Sequence, residues 1–178
     1  MPDIEIRPAL LTDLNNLIQM EHYSMSGLVW QIDRTNEKGV ITVAFREVKL
    51  PRVVKVDYPR SPECLTQDWK NLKVLVACLG DESLGYIAFR EVIDASTAWI
   101  SDLVVREKYR RKGIGSALVR TAQELAQRRQ MRRMVIEAQY KNAPAIHLAL
   151  KLGFDFSGYN DQYYASPDIA LFFTRILR

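Results

Sequence analysis

Three apolar runs separated by short polar breaks dominate the middle of the chain. VLVACL (74–79) and LGYIAFREV (84–92) flank GDES (80–83), a two-strand pattern closed by a glycine-containing turn. A second turn near residues 94–96 leads into AWISDLVV (98–105), so three consecutive strands should form an antiparallel meander. The periodicity then changes. Ile114, Ala117, Leu118, Ala122, Leu125 and Ala126 recur on one helical face, which predicts a helix over about 114–129. RMVIEA (133–138) reads as a strand. Asn142 then stands as the N-cap of a second helix, with Pro144 in its first turn and Gly153 as its left-handed stop. DIALFFTRIL (168–177) supplies a last strand.

The first third of the chain is less regular. IEIRP (4–8) is a short strand ended by proline, and Thr12 is the expected cap of a helix running through Leu14, Leu17, Ile18 and Glu21. VITVAFREV (40–48) has the composition of a strand or a mixed segment. Pro51, Pro59 and Pro62 argue against any long regular element there, so 49–66 reads as an irregular, partly extended excursion. Excursions of that length in compact domains tend to carry function.

The chain has 178 residues, enough for one domain with one sizeable core. Hydrophobic residues make up 48% and charged residues 26%, as expected of a soluble globular protein. No apolar run nears the roughly 20 residues that span a bilayer, and no signal-peptide pattern opens the chain. These features predict a cytoplasmic protein without membrane contact. Cys64 and Cys78 form no CxxC pair, and His22 and His147 lack ligand spacing, so no metal site is expected.

Charge changes the picture at one place. The net charge is +4, yet residues 106–133 hold ten Lys/Arg against two acids, which leaves the remainder at −4. This cationic island suits one anionic ligand. A nucleic-acid coat would need exposed aromatics interleaved with the basic residues, and only Tyr109 meets that description, so no nucleic-acid partner is expected.

At the heart of the island, YRRKGIGSAL (109–118) links a strand to a helix. Amides at a helix N-terminus lack intrahelical partners, and the helix dipole favours an anion there. Gly113 and Gly115 let a bulky anion approach the main chain, and Arg110, Arg111 and Lys112 bring charge. The stretch contains no GxxxxGK[ST], and Leu118 occupies the place of the third glycine of a dinucleotide fingerprint. What remains is R-x-x-G-x-G.

In combination, SDLVVREKYRRKGIGSALV (101–119) and IEAQYKNAPAIHLALKLGF (136–154) resemble the GNAT superfamily of acetyl-CoA-dependent N-acetyltransferases. The resemblance covers about residues 74–156, with IEIRPALLTDL (4–14) also typical. It implies an α/β (α+β) fold: a mixed, mostly antiparallel central sheet flanked by helices on both faces. It also implies acetyl-CoA as co-substrate. The backbone from Arg110 through Arg111, Lys112, Gly113 and Ile114 to Gly115 would hold the pyrophosphate, with Ser116 adding a hydroxyl. The pantetheine arm would pair like an extra strand with Leu103, Val104 and Val105, in a gap between that strand and 133–138. The family asparagine falls on Asn142.

Amide formation from a thioester needs a neutral amine, and an alkyl ammonium has a pKa near about 10.4. Asp102 and Glu137 interrupt apolar strands beside the expected acyl position, which makes them candidates for the base. Each also has a plain alternative, a structural ion pair. Many members supply the thiolate proton from a tyrosine five residues before the Phe of the GF pair, and here Ala149 stands there. Tyr140, Tyr159, Tyr163 and Tyr164 are the nearby phenols, Tyr140 foremost. His147 lies on another face of that helix.

For the acceptor, FREVKLPRVVKVDYPRS (45–61) and GYNDQYYASPDIALFF (158–173) resemble the streptothricin acetyltransferase type, and more weakly the ribosomal-protein acetyltransferases. The resemblance implies an amine-bearing small molecule or a peptide as partner. The polycation reading rests on Tyr159, Asp161, Tyr163, Tyr164 and Asp168. The alternatives are a protein N-terminal or lysine acetyltransferase and a non-catalytic acyl-CoA-binding module. A monomer or a homodimer is expected.

Overall fold

The computed structural model describes residues 4–177. Among these residues seven strands make one sheet in the order β1 (Glu5–Pro8), β4 (Leu72–Leu79), β5 (Glu82–Val92), β6 (Thr97–Val105), β7 (Arg133–Gln139), β9 (Ala170–Ile176) and β8 (Asp155–Asn160), and two more, β2 (Tyr23–Glu37) and β3 (Val40–Asp57), form a separate hairpin. The meander β4-β5-β6 is antiparallel, as its turns predict. Only β6 and β7 run parallel, because helix α3 (Ile114–Arg128) carries the chain back across the sheet between them.

Both faces of the sheet are covered, which explains why the central strands read as nearly continuous apolar runs. Leu75, Ala77, Ile87, Phe89, Ala98, Ile100, Met134 and Ile136 face α3 and α4 (Ala143–Lys151), whose Leu118, Ala122, Ile146 and Ala149 are completely buried against them. The alternate residues Val74, Val76, Cys78, Tyr86, Ala88 and Val104 face Leu17 of α1 (Leu14–Ile18) and Leu65 of α2 (Cys64–Gln67). Cys78 is thus a small core residue. Among the described residues no helix is long and apolar enough to cross a membrane.

Two readings of the first third need correction. Thr12 caps nothing. A single 3-10 turn (Leu11–Asp13) precedes α1, and the carboxylate of Asp13 takes the Leu10 amide at 2.7 Å while pairing with Arg7 at 2.7 and 3.0 Å. The helix ends at Ile18, short of Glu21.

The larger correction concerns 49–66. β2 (Tyr23–Glu37) and β3 (Val40–Asp57) form a hairpin that runs straight through Pro51. Pairing jumps from Leu28↔Lys49 to Ser26↔Val54, so Pro51 sits within a bulge opposite Gly27. A bulge leaves residues without ladder partners, and a missing N–H costs little there. The 15 residues of β2 extend for about 50 Å at strand rise. Polar residues fall on both faces toward the tip, which erases the alternation that announces a strand. The hairpin is fastened midway along its length: Trp30 N–H donates to Tyr140 O at 2.9 Å, and Phe45 packs on Phe156 and Tyr159.

Gly85 on β5 marks the tightest contact with β6. A Cβ there would lie 2.6 Å from the Val104 carbonyl oxygen and 3.1 Å from Val105 Cα, both backbone atoms that cannot swing aside. Gly85→Ala should therefore destabilise the fold by about 1–3 kcal/mol, the usual cost of overpacking. Urea denaturation should show a lower midpoint with an unchanged slope; an unchanged midpoint would contradict the close approach.

Candidate active site

The site begins where two neighbouring strands stop pairing. β6 and β7 are in register from Thr97↔Arg133 to Ile100↔Ile136 and no further, although β6 continues to Val105 and β7 to Gln139. The cause is visible on the other edge of β6. Ala88 pairs with Asp102 and Phe89 with Ile100, so Ser101 is an extra residue, a bulge whose hydroxyl donates to the Asp102 carboxylate at 2.8 Å and lies 3.3 Å from Ala88 O. A bulge bends its strand and sharpens its twist, and β6 leaves β7 at that point.

The parted edge of β6 then takes other partners. The Leu103 amide donates to the Tyr58 hydroxyl at 2.8 Å, and that hydroxyl donates back to Leu103 O at 2.8 Å. The Val105 carbonyl accepts Arg110 Nε at 2.8 Å. Leu103 and Val105 thus present their main chain to the gap, while Val104 is buried on the α1-α2 face. The two strands part where a gap was expected, and side chains take up the freed edge of β6.

Beyond Val105 a 3-10 turn (Glu107–Tyr109) leads to YRRKGIG. Arg111 and Gly113 both lie in the left-handed region, at φ 64° and 88°. The second needs glycine; the first is a strained non-glycine, of the kind that gathers at binding sites. Among the described residues none accepts a hydrogen bond from the amides of residues 111 to 116. These donors open a 15-residue helix, and Arg111 and Lys112 are exposed beside them. Free amides, a positive dipole end and two cations make an anion site.

Arg110 has a different task. Its amide is taken by Glu107 O at 3.1 Å, and its guanidinium bonds Val105 O and Glu21 O (2.9 Å) over the Tyr23 ring. It fixes the turn against β6, and the free amides begin one residue later than the motif suggests. Gly115 is less constrained than Gly113: a Cβ there would make ordinary contact with Leu148 at 3.5 Å.

On the opposite face of the sheet the gap is lined by acids and phenols. The Glu137 side chain is 3% exposed and holds three donors: the Arg60 guanidinium, Trp99 Nε1 at 2.7 Å and Tyr163 Oη at 2.8 Å. Arg60 also reaches Ser101 O at 3.3 Å, so it spans from β6 to β7 where they part. Burial works against its charge, but Glu137 and Asp102 outweigh that and raise its pKa. Asp102 accepts one bond, from Ser101 Oγ at 2.8 Å. Burial, then the charge of Glu137, pushes Tyr163 up to about 12 and Tyr164 higher still. Both phenols stay protonated, and Tyr163 serves as a donor to Glu137. His22 is shifted down by burial; its Nδ1 donates to Met20 O at 2.7 Å, which leaves Nε2 to accept from Tyr86 at 2.9 Å.

The remaining sequence candidates lie elsewhere. Tyr140 lines a groove of about 440 Å³ under the β2-β3 hairpin with Val29, Leu50 and Lys141, outside the network around Glu137. Asn142 is an N-cap, accepting from Ala145 N at 3.3 Å, and its oxygen also ties Ser24 of β2 at 3.0 Å. His147 pairs with Glu47 of the hairpin. Tyr159 packs on Phe45, and Asp168 is bound by Lys141 and Gln139. Among the described residues no group of three or more His, Cys, Asp or Glu is placed to hold a metal. Sequence reasoning missed Tyr58, which holds the parted edge of β6, and Arg60, which spans from β6 to β7. Their only signal was position, in a proline-bounded segment of unusual length.

Comparison with known proteins agrees with this geometry. The acetyltransferase (GNAT) family matches residues 43–154. The chain is 38% identical over 65 residues to the streptothricin acetyltransferase of Streptomyces lavendulae, 36% of this chain and 34% of that one. It is 32% identical over 80 residues to a Bacillus subtilis (strain 168) protein provisionally named as a ribosomal protein bS18-alanine N-acetyltransferase, 45% of this chain and 52% of that one. It thus spans about a third and about half of these curated relatives. Two crystal structures share the fold over nearly their whole length. One is a nourseothricin acetyltransferase (TM-score 0.83, 22% identity, 98% of this chain and 99% of that one). The other is a Bacillus anthracis str. Ames protein provisionally described as a streptothricin acetyltransferase, solved with acetyl coenzyme A (TM-score 0.78, 20% identity, 99% of each chain). With the family matched over more than half of its length, the chain belongs to the acetyltransferase (GNAT) family.

Proposed function

We propose that the protein transfers the acetyl group of acetyl-CoA to a primary amine of a small polycationic molecule of the streptothricin kind. The observation that carries the donor half is the run of unpartnered amides at residues 111 to 116 beside the unpaired edge of β6. The pyrophosphate lies on those amides, with Arg111 and Lys112 at its rim. The pantetheine arm pairs with Leu103 and Val105 by strand addition. This brings the thioester to the point where β6 and β7 part, and the acceptor arrives from the face that carries Asp102 and Glu137.

The two carboxylates have different roles. Glu137 already accepts from Arg60, Trp99 and Tyr163, and its charge is balanced by Arg60. It holds those donors around the acceptor. Asp102 accepts only from the adjacent Ser101 and is the base, acting on the ammonium through water. The polycation reading is supported by the named relatives and by the acid and phenol lining. A peptide α-amine is the second reading, favoured by the 32% identity to the Bacillus subtilis relative.

Three outcomes test this reading. Gly113→Glu puts a side chain on a left-handed residue and a negative charge in the anion site. Calorimetry should show acetyl-CoA binding abolished while circular dichroism is unchanged; retained affinity would sink the cofactor assignment. A thiol-release screen with acetyl-CoA against streptothricin, aminoglycosides, polyamines and ribosomal-protein N-terminal peptides should give turnover with streptothricin. Turnover with the peptides alone would favour the second reading, and silence with every amine a binding module. With the acceptor so found, Asp102→Asn should lower kcat by roughly 10²–10⁴-fold, the usual range for a lost general base, with acetyl-CoA affinity kept. An unchanged kcat would remove Asp102 from the mechanism.

A further inference from the structure

Tyr58 stands at the acyl position, and nothing in the motifs of the chain points to it. Its hydroxyl lies 2.8 Å from both the amide nitrogen and the carbonyl oxygen of Leu103, on the edge that β6 turns toward the gap. Any oxygen that accepts from the Leu103 amide must lie about 2.9 Å from that nitrogen. The phenol oxygen therefore marks where a thioester carbonyl oxygen would sit if the acyl group paired with this edge.

We propose that the Tyr58 hydroxyl is the second hydrogen-bond donor, beside the Leu103 amide, to the acyl oxygen of a thioester bound in the gap between β6 and β7. The inference rests on the acetyl-transfer reading above. An arriving thioester takes the Leu103 amide, and the pantetheine chain takes the Leu103 carbonyl. Both current partners of the phenol are then used, and the acyl oxygen becomes its nearest acceptor. The displacement is small, because the ring is anchored. Tyr58 N–H donates to His22 O at 3.0 Å, the ring meets His22 edge-on at 5.7 Å, and it packs in the α1-α2 core at the end of β3. Burial and the charge of Asp102 raise the phenol pKa, so the proton stays on oxygen. A protonated donor aimed at developing charge is the arrangement that stabilises an oxyanion.

Tyr163 gives its proton to Glu137 and Ser101 gives its own to Asp102, and the position of the usual tyrosine is filled by Ala149, fully buried in the other core. In the step itself the neutral amine nitrogen attacks the thioester carbon, and the π pair moves onto the oxygen held by Leu103 and Tyr58. The pair returns as the C–S bond breaks, and sulfur leaves with the bonding electrons. The proton lost from nitrogen passes through water to the thiolate. Tyr58 keeps its proton throughout.

The test uses the whole protein with carbonyl-¹³C acetyl-CoA and isotope-edited infrared spectroscopy, without acceptor. The bound thioester carbonyl band should lie below its free value. Tyr58→Phe should return much of that shift, and replacement of Tyr58 by 3-fluorotyrosine, a stronger donor of nearly the same shape, should lower the band further. In turnover with the acceptor from the screen, Tyr58→Phe should reduce kcat by about 10²-fold, as removal of one oxyanion donor does, with KM for acetyl-CoA within about threefold. Thermal melting reports the fold of each variant. Identical bands and an identical kcat in wild type and variants would overturn the role of Tyr58 and leave the acetyl-transfer reading standing. Wild-type protein that fails to bind acetyl-CoA would overturn both.

Discussion

One extra residue in β6 organises the site. Ser101 has no partner on β5, and the strand bends away from β7 immediately after Ile100. Without that bulge the two parallel strands would stay paired to their ends, and the main chain of Leu103 and Val105 would be spent on a sheet ladder. With it, a pair of strands in mid-sheet keeps an unpaired inner edge. Such an edge has unmet donors and acceptors in a buried place, which is costly unless something satisfies them. In this structure the Tyr58 hydroxyl and the Arg110 guanidinium do so. A substrate that pairs like a strand meets the same groups.

The bulge also divides the chemistry by face. The α3 N-terminus brings free amides and cations to one end of the gap, and Glu137, Asp102 and the phenols line the other side of the sheet. The buried pair of Glu137 and Arg60 has little excess charge, so it acts as a rigid frame more than as an electrostatic trap. Breaking such a pair by removing one partner typically costs about 3–5 kcal/mol. Trp99 and Tyr163 complete the carboxylate's hydrogen bonds, and the frame joins β6, β7 and the segment after β3 into one wall.

The readable part of the site was the part whose causes are local. The meander followed from apolar runs and glycine turns. The open amides of the turn followed from a basic, glycine-containing stretch placed between a strand and a helix, and Asn142 from its N-cap position. Where long-range packing decides, the sequence was silent. Pro51 looked like a stop signal, yet it sits in a bulge where its missing N–H is harmless. Tyr58 and Arg60 meet β6 and β7 across 45 and 77 residues of chain, and no periodicity reports a contact of that separation. Arg110 read as a charge for the ligand, but its guanidinium binds Val105 and Glu21. Tyr140 looked poised beside the cap of α4, and the hairpin covers it instead.

If the open amides of the turn and the parted edge of β6 form one continuous donor site, amide hydrogen exchange measured residue by residue reports it when acetyl-CoA is added. Marked protection is expected at the amides of 111 to 116 and at Leu103 and Val105, with the β2-β3 tip unchanged. Protection confined to other segments, with these amides exchanging as before, would contradict it.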